Sequence, residues 1–243
     1  THDNINLNIL KGSASFKKPG VQLTQEANIG FVGEMTLENF MINDIHYLDL
    51  LFTGNIDIEA ISLNKLQAAF KTAQIDSTLI DHTVAGKKLG LAIKLKDLVL
   101  NESQVTIHDG QTDSLLLSIK NFNLDVSDIE VSDRTIAHSI PFIGEDYDVQ
   151  SDSIFIKISP YENLQIAQVN GDHNYTFLSG ITYGTTLSKT DFDAGLIEEK
   201  DHYSIFIDSV QFQNLGLEST GQEDLISFSA QKISIVQPKI GIY

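Results

Sequence analysis

The chain has 243 residues, 33 of them acidic and 16 basic, for a formal net charge of −17. That balance excludes the basic footprint that phosphate backbones or anionic headgroups require, so no nucleic-acid partner is expected. The absence of Cys removes disulfides, thiolate metal sites and cysteine nucleophiles, and no apolar run approaches the roughly 20 residues that cross a bilayer as a helix. A chain of this length can bury a substantial core. One β-rich domain over 1–243 is expected, with 1–84 a partial first unit and 85–243 a repeat-like unit. The chain starts at Thr1, which fits removal of a signal peptide or anchor ahead of it.

Short alternating runs of Ile, Val, Phe, Leu and Thr, separated by Asn, Asp, Gly and Ser, predict strands. "SFKKPG" at 15–20 reads as a loop. After it a spacing appears that then recurs: apolar, any, apolar, two polar or small residues, apolar, any, apolar. Met35, Leu37, Phe40 and Ile42 flank Glu38-Asn39, and Ile56, Ile58, Ile61 and Leu63 flank Glu59-Ala60. "NKLQAAFKTAQ" at 64–74 fits either a short helix behind an Asn64 cap or a strand. Ile93, Leu95, Leu98 and Leu100 flank Lys96-Asp97; after a loop at 108–113, Leu117, Ile119, Phe122 and Leu124 flank Lys120-Asn121. The stretch 134–150, with Ile140, Pro141 and Phe142, reads as a longer crossover, and "GEDYD" at 144–148 and "NGDHN" at 170–174 as loops. Ile205, Ile207, Val210 and Phe212 then flank Asp208-Ser209; beyond a loop at 219–224, Phe228, Ala230, Ile233 and Ile235 flank Gln231-Lys232.

Offsets of 0, 2, 5 and 7 scatter around a helix, so the amphipathic-helix interpretation fails. On a regular strand the three-residue step throws the second apolar pair onto the opposite face. Two devices repair the parity: a β-bulge at the polar pair, which bends one strand, or a tight turn between two short strands. A longer repeat accompanies the module, since residues 91–108 align without gaps on 226–243 at an offset of 135, and "LENF" at 37–40 echoes "IKNF" at 119–122. Such repeats mark architectures that grow unit by unit.

Chemistry-bearing motifs are scarce. The seven histidines are scattered without ligand spacing, and HExxH, CxxC, GxSxG and glycine-rich phosphate loops are all missing. The glycines are expected mostly at turns. The acidic stretch "GEDYDVQSD" offers a weak calcium candidate in Asp146, Asp148 and Asp152. Counted from Asp146, however, Ser151 stands where the loop's glycine belongs and Lys157 where a bidentate Glu belongs, so a solvated loop is favoured. "NES" at 101–103 and "NYT" at 174–176 match the glycosylation acceptor pattern, a short pattern often met by chance.

The runs "LAIKLKDLVLNESQVTIHD", "SLLLSIKNFNLDVSDIEV", "YDVQSDSIFIKI", "YSIFIDSVQFQNLGLES" and the final "ISFSAQKISIVQPKIGIY" together resemble the repeating units of AsmA-like envelope proteins, in the version seen in Bacteroidetes. The resemblance covers about residues 85–243. It implies a long curved β-sheet with an apolar concave face, of the kind that TamB-like and bridge-like lipid-transfer proteins are thought to use to shield acyl chains. It also implies the periplasm or outer envelope of a Gram-negative bacterium.

The expectation is therefore an all-β fold: a strongly curved antiparallel sheet of repeated bent or bulged strands, forming an open groove or a partly closed sandwich or barrel, with at most one or two short helices. The apolar wall is expected at Ile93, Leu95, Leu98, Leu100, Leu117, Ile119, Phe122, Leu124, Ile205, Ile207, Val210 and Phe212, as groove or as ordinary core. The expected role is non-catalytic, without cofactor, in binding or transporting a lipid or other hydrophobic ligand or in outer-membrane biogenesis, with envelope proteins as further partners. The alternative is a cell-surface adhesin or a protein- or glycan-binding β-sandwich with a closed core.

Overall fold

The structure, a computed structural model, describes residues 4–8, 12–23, 31–46, 52, 54–72, 90–133, 135, 146–185, 187–188, 190–192, 203–220 and 225–242. Of these, 77% lie in strands and 2% in helix, so the fold is all-β. In chain order the strands are β1 (Asn4–Asn8), β2 (Ser13–Lys17), β3 (Gly20–Leu23), β4 (Phe31–Thr36), β5 (Asn39–His46), β6 (Asn55–Asn64), β7 (Gln67–Thr72), β8 (Ala92–His108) and β9 (Leu115–Val131). They continue with β10 (Asp146–Ser151), β11 (Ser153–Lys157), β12 (Asn163–Asp172), β13 (Tyr175–Gly184), β14 (Tyr203–Gln213), β15 (Gly216–Thr220), β16 (Leu225–Ser229), β17 (Lys232–Val236) and β18 (Lys239–Ile242).

Sixteen of these strands form one curved sheet, and among the described residues β15 and β16 pair only with each other. Neighbours are antiparallel except at one seam, where β6 and β7 both run parallel to β8. Among the described residues the sheet does not close, because β1 ends the strand order on one side and β17 with β18 on the other.

Several strands are halves of one longer run. β2 and β3, β4 and β5, β6 and β7, β10 and β11, and β17 and β18 are each parted by one or two residues, while β8, β9, β12, β13 and β14 cross the same line unbroken. Along that line the backbone turns left-handed at Lys18 (φ 46°), Lys65 (51°), Glu102 (49°), Asn121 (48°), Gly180 (59°) and Gln237 (48°). Lys18 N donates to Glu38 O, Glu38 N to Asn64 O and Lys65 N to Asn101 O, so the bends are stitched from strand to strand. A second line passes through Asp44 (48°) and Asp128 (52°), with Glu59 and Lys96 between them.

The polar pairs of the recurring module fall on these lines, Glu38 and Asn121 on the first and Glu59 and Lys96 on the second, while the left-handed Lys18, Lys65, Glu102 and Gln237 lie outside any such pair. Between β8 and β9 the register shifts three times, twice around the bend, where Leu100 faces Leu124, Ser103 faces Phe122 and Val105 faces Ile119, and once more between Ile107 and His108. The extra residue falls at Glu102 on β8 and in Lys120-Asn121 on β9, the two-against-one count of a β-bulge. The core cluster shows the result. Leu95, Val126 and Ile129 are buried together with Ile58, Ile61 and Leu98 packed against them, so three pairs of residues spaced three apart share one face. The offset of 135 is also structural, since it superposes the left-handed Glu102 on the left-handed Gln237.

Some expectations need correction. Residues 64–72 are strand and bend, not helix, because Ala68 and Phe70 are held beside Val105 and Ile107 of β8; residues 73 and 74 lie outside the described set. The short helix instead includes Thr190–Phe192, where Asp191 N donates to Ser188 Oγ (3.2 Å) and Phe192 N to Ser188 O (2.9 Å), an N-terminal cap written in sequence as Ser-x-x-Asp. The loops expected at 15–20 and 144–148 are largely strand, bent at Lys18-Pro19 and begun at Asp146. Residues 219 and 220 are strand, and 221–224 lie outside the described residues, as do 134 and 136–145 of the expected crossover. Glycines also serve within strands: a Cβ on Gly33 would stand 2.1 Å from Ala69 O and 2.8 Å from the Phe70 ring, so Phe70 lies over a position that only glycine leaves clear.

A left-handed residue that is not glycine costs about 1–2 kcal/mol. Glu102→Gly is therefore expected to raise stability by about 0.5–1 kcal/mol in urea unfolding, because Glu102 N keeps its bond to Asn123 Oδ1. Glu102→Val, β-branched, is expected to lower it by about 1–3 kcal/mol.

Candidate functional site

Directly opposed residues on neighbouring strands point to the same face, so the register alone lays out the two sides of the sheet. One row runs Val105, Ile119, Ile154, Ile166, Ile181, Ile207 from β8 to β14. Beyond the bend another runs Phe16, Phe40, Leu63, Leu100, Leu124, Val149 from β2 to β10. A third joins Ile107, Leu117, Ile156, Leu164, Tyr183 and Ile205. One face is thus an almost continuous apolar wall.

All twelve residues expected to line that wall fall on these rows or beside them. Ile93 opposes Ile56 and Val131, Leu95 opposes Ile58 and Ile129, and Leu98 opposes Ile61 and Val126. Leu100, Leu117, Ile119, Phe122 and Leu124 meet across β8 and β9, while Ile205, Ile207, Val210 and Phe212 stand on β14, opposite Tyr183, Ile181, Leu178 and Thr176 of β13. The two groups are separated by β10 to β13 and do not touch as one cluster. Leu95 and Val210 are each 8% exposed, and the other ten are half-buried.

Four residues along the bend are buried. Ser103 (0% exposed), Ser151 (1%), Val169 (8%) and Val210 (8%) line it, with Phe122 opposite Ser103 on the neighbouring strand. Each serine satisfies its hydroxyl on a main-chain carbonyl, Ser103 Oγ donating to Asn101 O (3.3 Å) and Ser151 Oγ to Lys120 O (3.0 Å). Small residues beside Phe122 let the strands crowd where they bend.

Tyr147 on β10 belongs to the Leu98–Val126 row. Its hydroxyl comes within 3.5 Å of the Leu215 carbonyl, just past β14, and its ring meets His173 edge-on at 6.5 Å. β10 and β14 are three strand spacings apart, roughly 14 Å on a flat sheet and well beyond the reach of a tyrosine. The chain past β14 therefore bends toward the apolar face, which puts that face on the inside of the curve at this end.

The outer face is charged and laddered. Glu59 and Lys96 form an ion pair across β6 and β8, and Glu38 and Lys65 another at 2.7 Å. The Lys65 ammonium holds the Glu38 carboxyl below its ordinary value, first through the hydrogen bond and then through charge. Beside the acid–base pairs runs a like-charged rung: Asp125, Asp148 and Asp172 stand directly opposite one another on β9, β10 and β12. Burial, and then the carboxylates of Asp97 and Asp148, push Asp125 up.

Of the calcium candidates, Asp146 and Asp148 sit on β10, and Asp152 sits at its bend, accepting from Asn121 Nδ2 at 2.7 Å. Among the described residues no group of three carboxylate or imidazole side chains is arranged around a metal position. The sequence reasoning missed Ser103, Ser151 and Tyr147. The signal for the serines was a small residue standing where the alternation calls for an apolar one, Ser103 next to the left-handed Glu102 and Ser151 at the break between β10 and β11.

Ser151→Leu is expected to overpack the bend and cost about 1–3 kcal/mol in chemical denaturation. For Asp125, whose folded pKa is raised, the stability contribution is present below the unfolded carboxylate range and lost as pH rises through the folded value. Asp125→Asn is accordingly expected to raise the melting temperature at pH 7 in low salt, by an amount worth about 0.2–1 kcal/mol, with little effect at pH 3. No protein-family model matches this chain, and no curated protein matches it either.

Proposed function

We propose that this chain acts without catalysis, holding acyl chains or a comparable apolar ligand along the inner face of its curved sheet. The observation that carries this proposal is the set of apolar rows crossing from strand to strand on one side, with ten of the twelve expected wall residues only half-buried. A buried methylene is worth about 0.8 kcal/mol, so a chain of about a dozen could gain on the order of 10 kcal/mol before ordering costs, without a polar recognition group. The strand motifs that resemble AsmA-like envelope proteins support the same proposal, and with it lipid handling or envelope assembly in the periplasm or outer envelope of a Gram-negative bacterium. Among the described residues no helix is long and apolar enough to cross a membrane.

The test is native mass spectrometry and solvent extraction of protein purified without detergent, together with uptake of a fluorescent fatty acid. Co-purifying lipid or saturable uptake is expected. Ile119→Asp and Ile207→Asp, on the apolar rows, should reduce uptake at least tenfold, while Gln165→Asp on the outer face should leave it unchanged, with circular dichroism confirming the fold. A lipid-free spectrum together with no uptake would overturn the proposal.

A further inference from the structure

We propose that the β17–β18 edge pairs with the same edge of a second copy of this chain, antiparallel, about a two-fold axis between Gln237 and Pro238. Among the described residues both strands pair with β14 on one side only, so alternate backbone groups along the other side face outward. Ile233, Ile235, Ile240 and Ile242 on this edge are 57%, 56%, 65% and 62% exposed. Their inner neighbours Val210 and Phe212, on the same rows, are covered or half-covered.

The spacing of these isoleucines specifies the occupant. It reads the same in both directions about the midpoint of Gln237-Pro238, so one antiparallel register sets Ile233 against Ile242 of the second copy and Ile235 against Ile240. In that register the left-handed Gln237 (φ 48°) falls beside Pro238 of the other copy, and the two bends coincide. A straight strand could match only one half of this edge. On the opposite edge the described residues of β1 pair with β2 alone.

Charge agrees. Residues 225–243 contain no Asp or Glu in a chain that has 33, and they include Lys232 and Lys239, the latter with its ammonium 5.7 Å from the centre of the Phe206 ring. The edge is thus the part of a strongly acidic molecule where two copies meet with least repulsion. An axis normal to the sheet keeps both apolar faces on one side, so the rows would continue from one copy into the other. A single strand pair lies near the lower bound of about 1,000 Å² for a stable interface, and the pairing stands whether or not the trough carries a ligand.

Sedimentation velocity of the full chain from 1 to 200 µM should show the average mass rising from monomer toward dimer, at lower concentration in 500 mM than in 20 mM NaCl as the charge of −17 is screened. Ile235→Lys with Ile240→Lys should stay monomeric throughout with an unchanged circular dichroism spectrum. Because the chain has no cysteine, cross-linking fixes the register. Gln237→Cys places two thiols whose Cα atoms are about 6 Å apart, within disulfide reach, and mild oxidation should convert most of the protein to covalent dimer. Lys232→Cys places them about 35 Å apart and should not cross-link. A monomer at 200 µM in high salt, equal cross-linking of both variants, or growth beyond the dimer would overturn the proposal.

Discussion

The structure depends on a parity constraint. A strand alternates its side chains, so bending it without losing its apolar face requires one residue that resets the count. Here that residue adopts the left-handed region at Lys18, Lys65, Glu102, Asn121 and Gln237, and on β13 at Gly180. The resets are aligned from strand to strand, and the main-chain bonds through Glu38, Asn64 and Asn101 tie them together. A reset on one strand alone would break register with its neighbours, so the bend is a property of the whole sheet. The charges at these positions follow from the same geometry, because the reset residue turns outward and pairs there, as Glu38 does with Lys65.

Much of this is visible in the sequence. The step of three between Leu95 and Leu98, or between Ile58 and Ile61, announces a reset, since both members of each pair pack in one cluster. The partner across each bend is hidden, however, and so is the number of bends per strand: β8 crosses one line at Lys96 and another at Glu102. Ser103 and Ser151 look like loop residues in one dimension. Only the approach of three strands around Phe122 shows why a small side chain is needed there. The apparent helical pattern at Leu66, Ala69, Phe70 and Ala73 misleads because local spacing cannot register that β8 runs alongside. The cap at Ser188, absent from the sequence reading, is a local Ser-x-x-Asp signal and belongs to the short helix.

The two faces divide the labour of solubility and packing. Opposed acids and bases hold the outer face, with the Asp125–Asp148–Asp172 rung as a local fault in that arrangement. The inner face carries the apolar rows, buried deeply along the bends and less toward the edges, where Ile5 and Leu7 on β1 and the isoleucines of β17 and β18 lie open. That gradient follows from an open sheet: each strand is covered by two neighbours except the last.

The seam between β6–β7 and β8 has a kinetic consequence. Hairpins such as β8–β9 close through a few residues at the Asp109 turn, whose carboxylate accepts from Gln111 N and Thr112 N. Contacts across the seam join residues 37 positions apart, as between Glu59 and Lys96 or Asn64 and Asn101. Long closures are slow because chain entropy is lost before any contact rewards it. Folding should then proceed as two locally nucleated blocks, one on each side of the seam, whose docking along a single parallel ladder is the last step to form and the first to open.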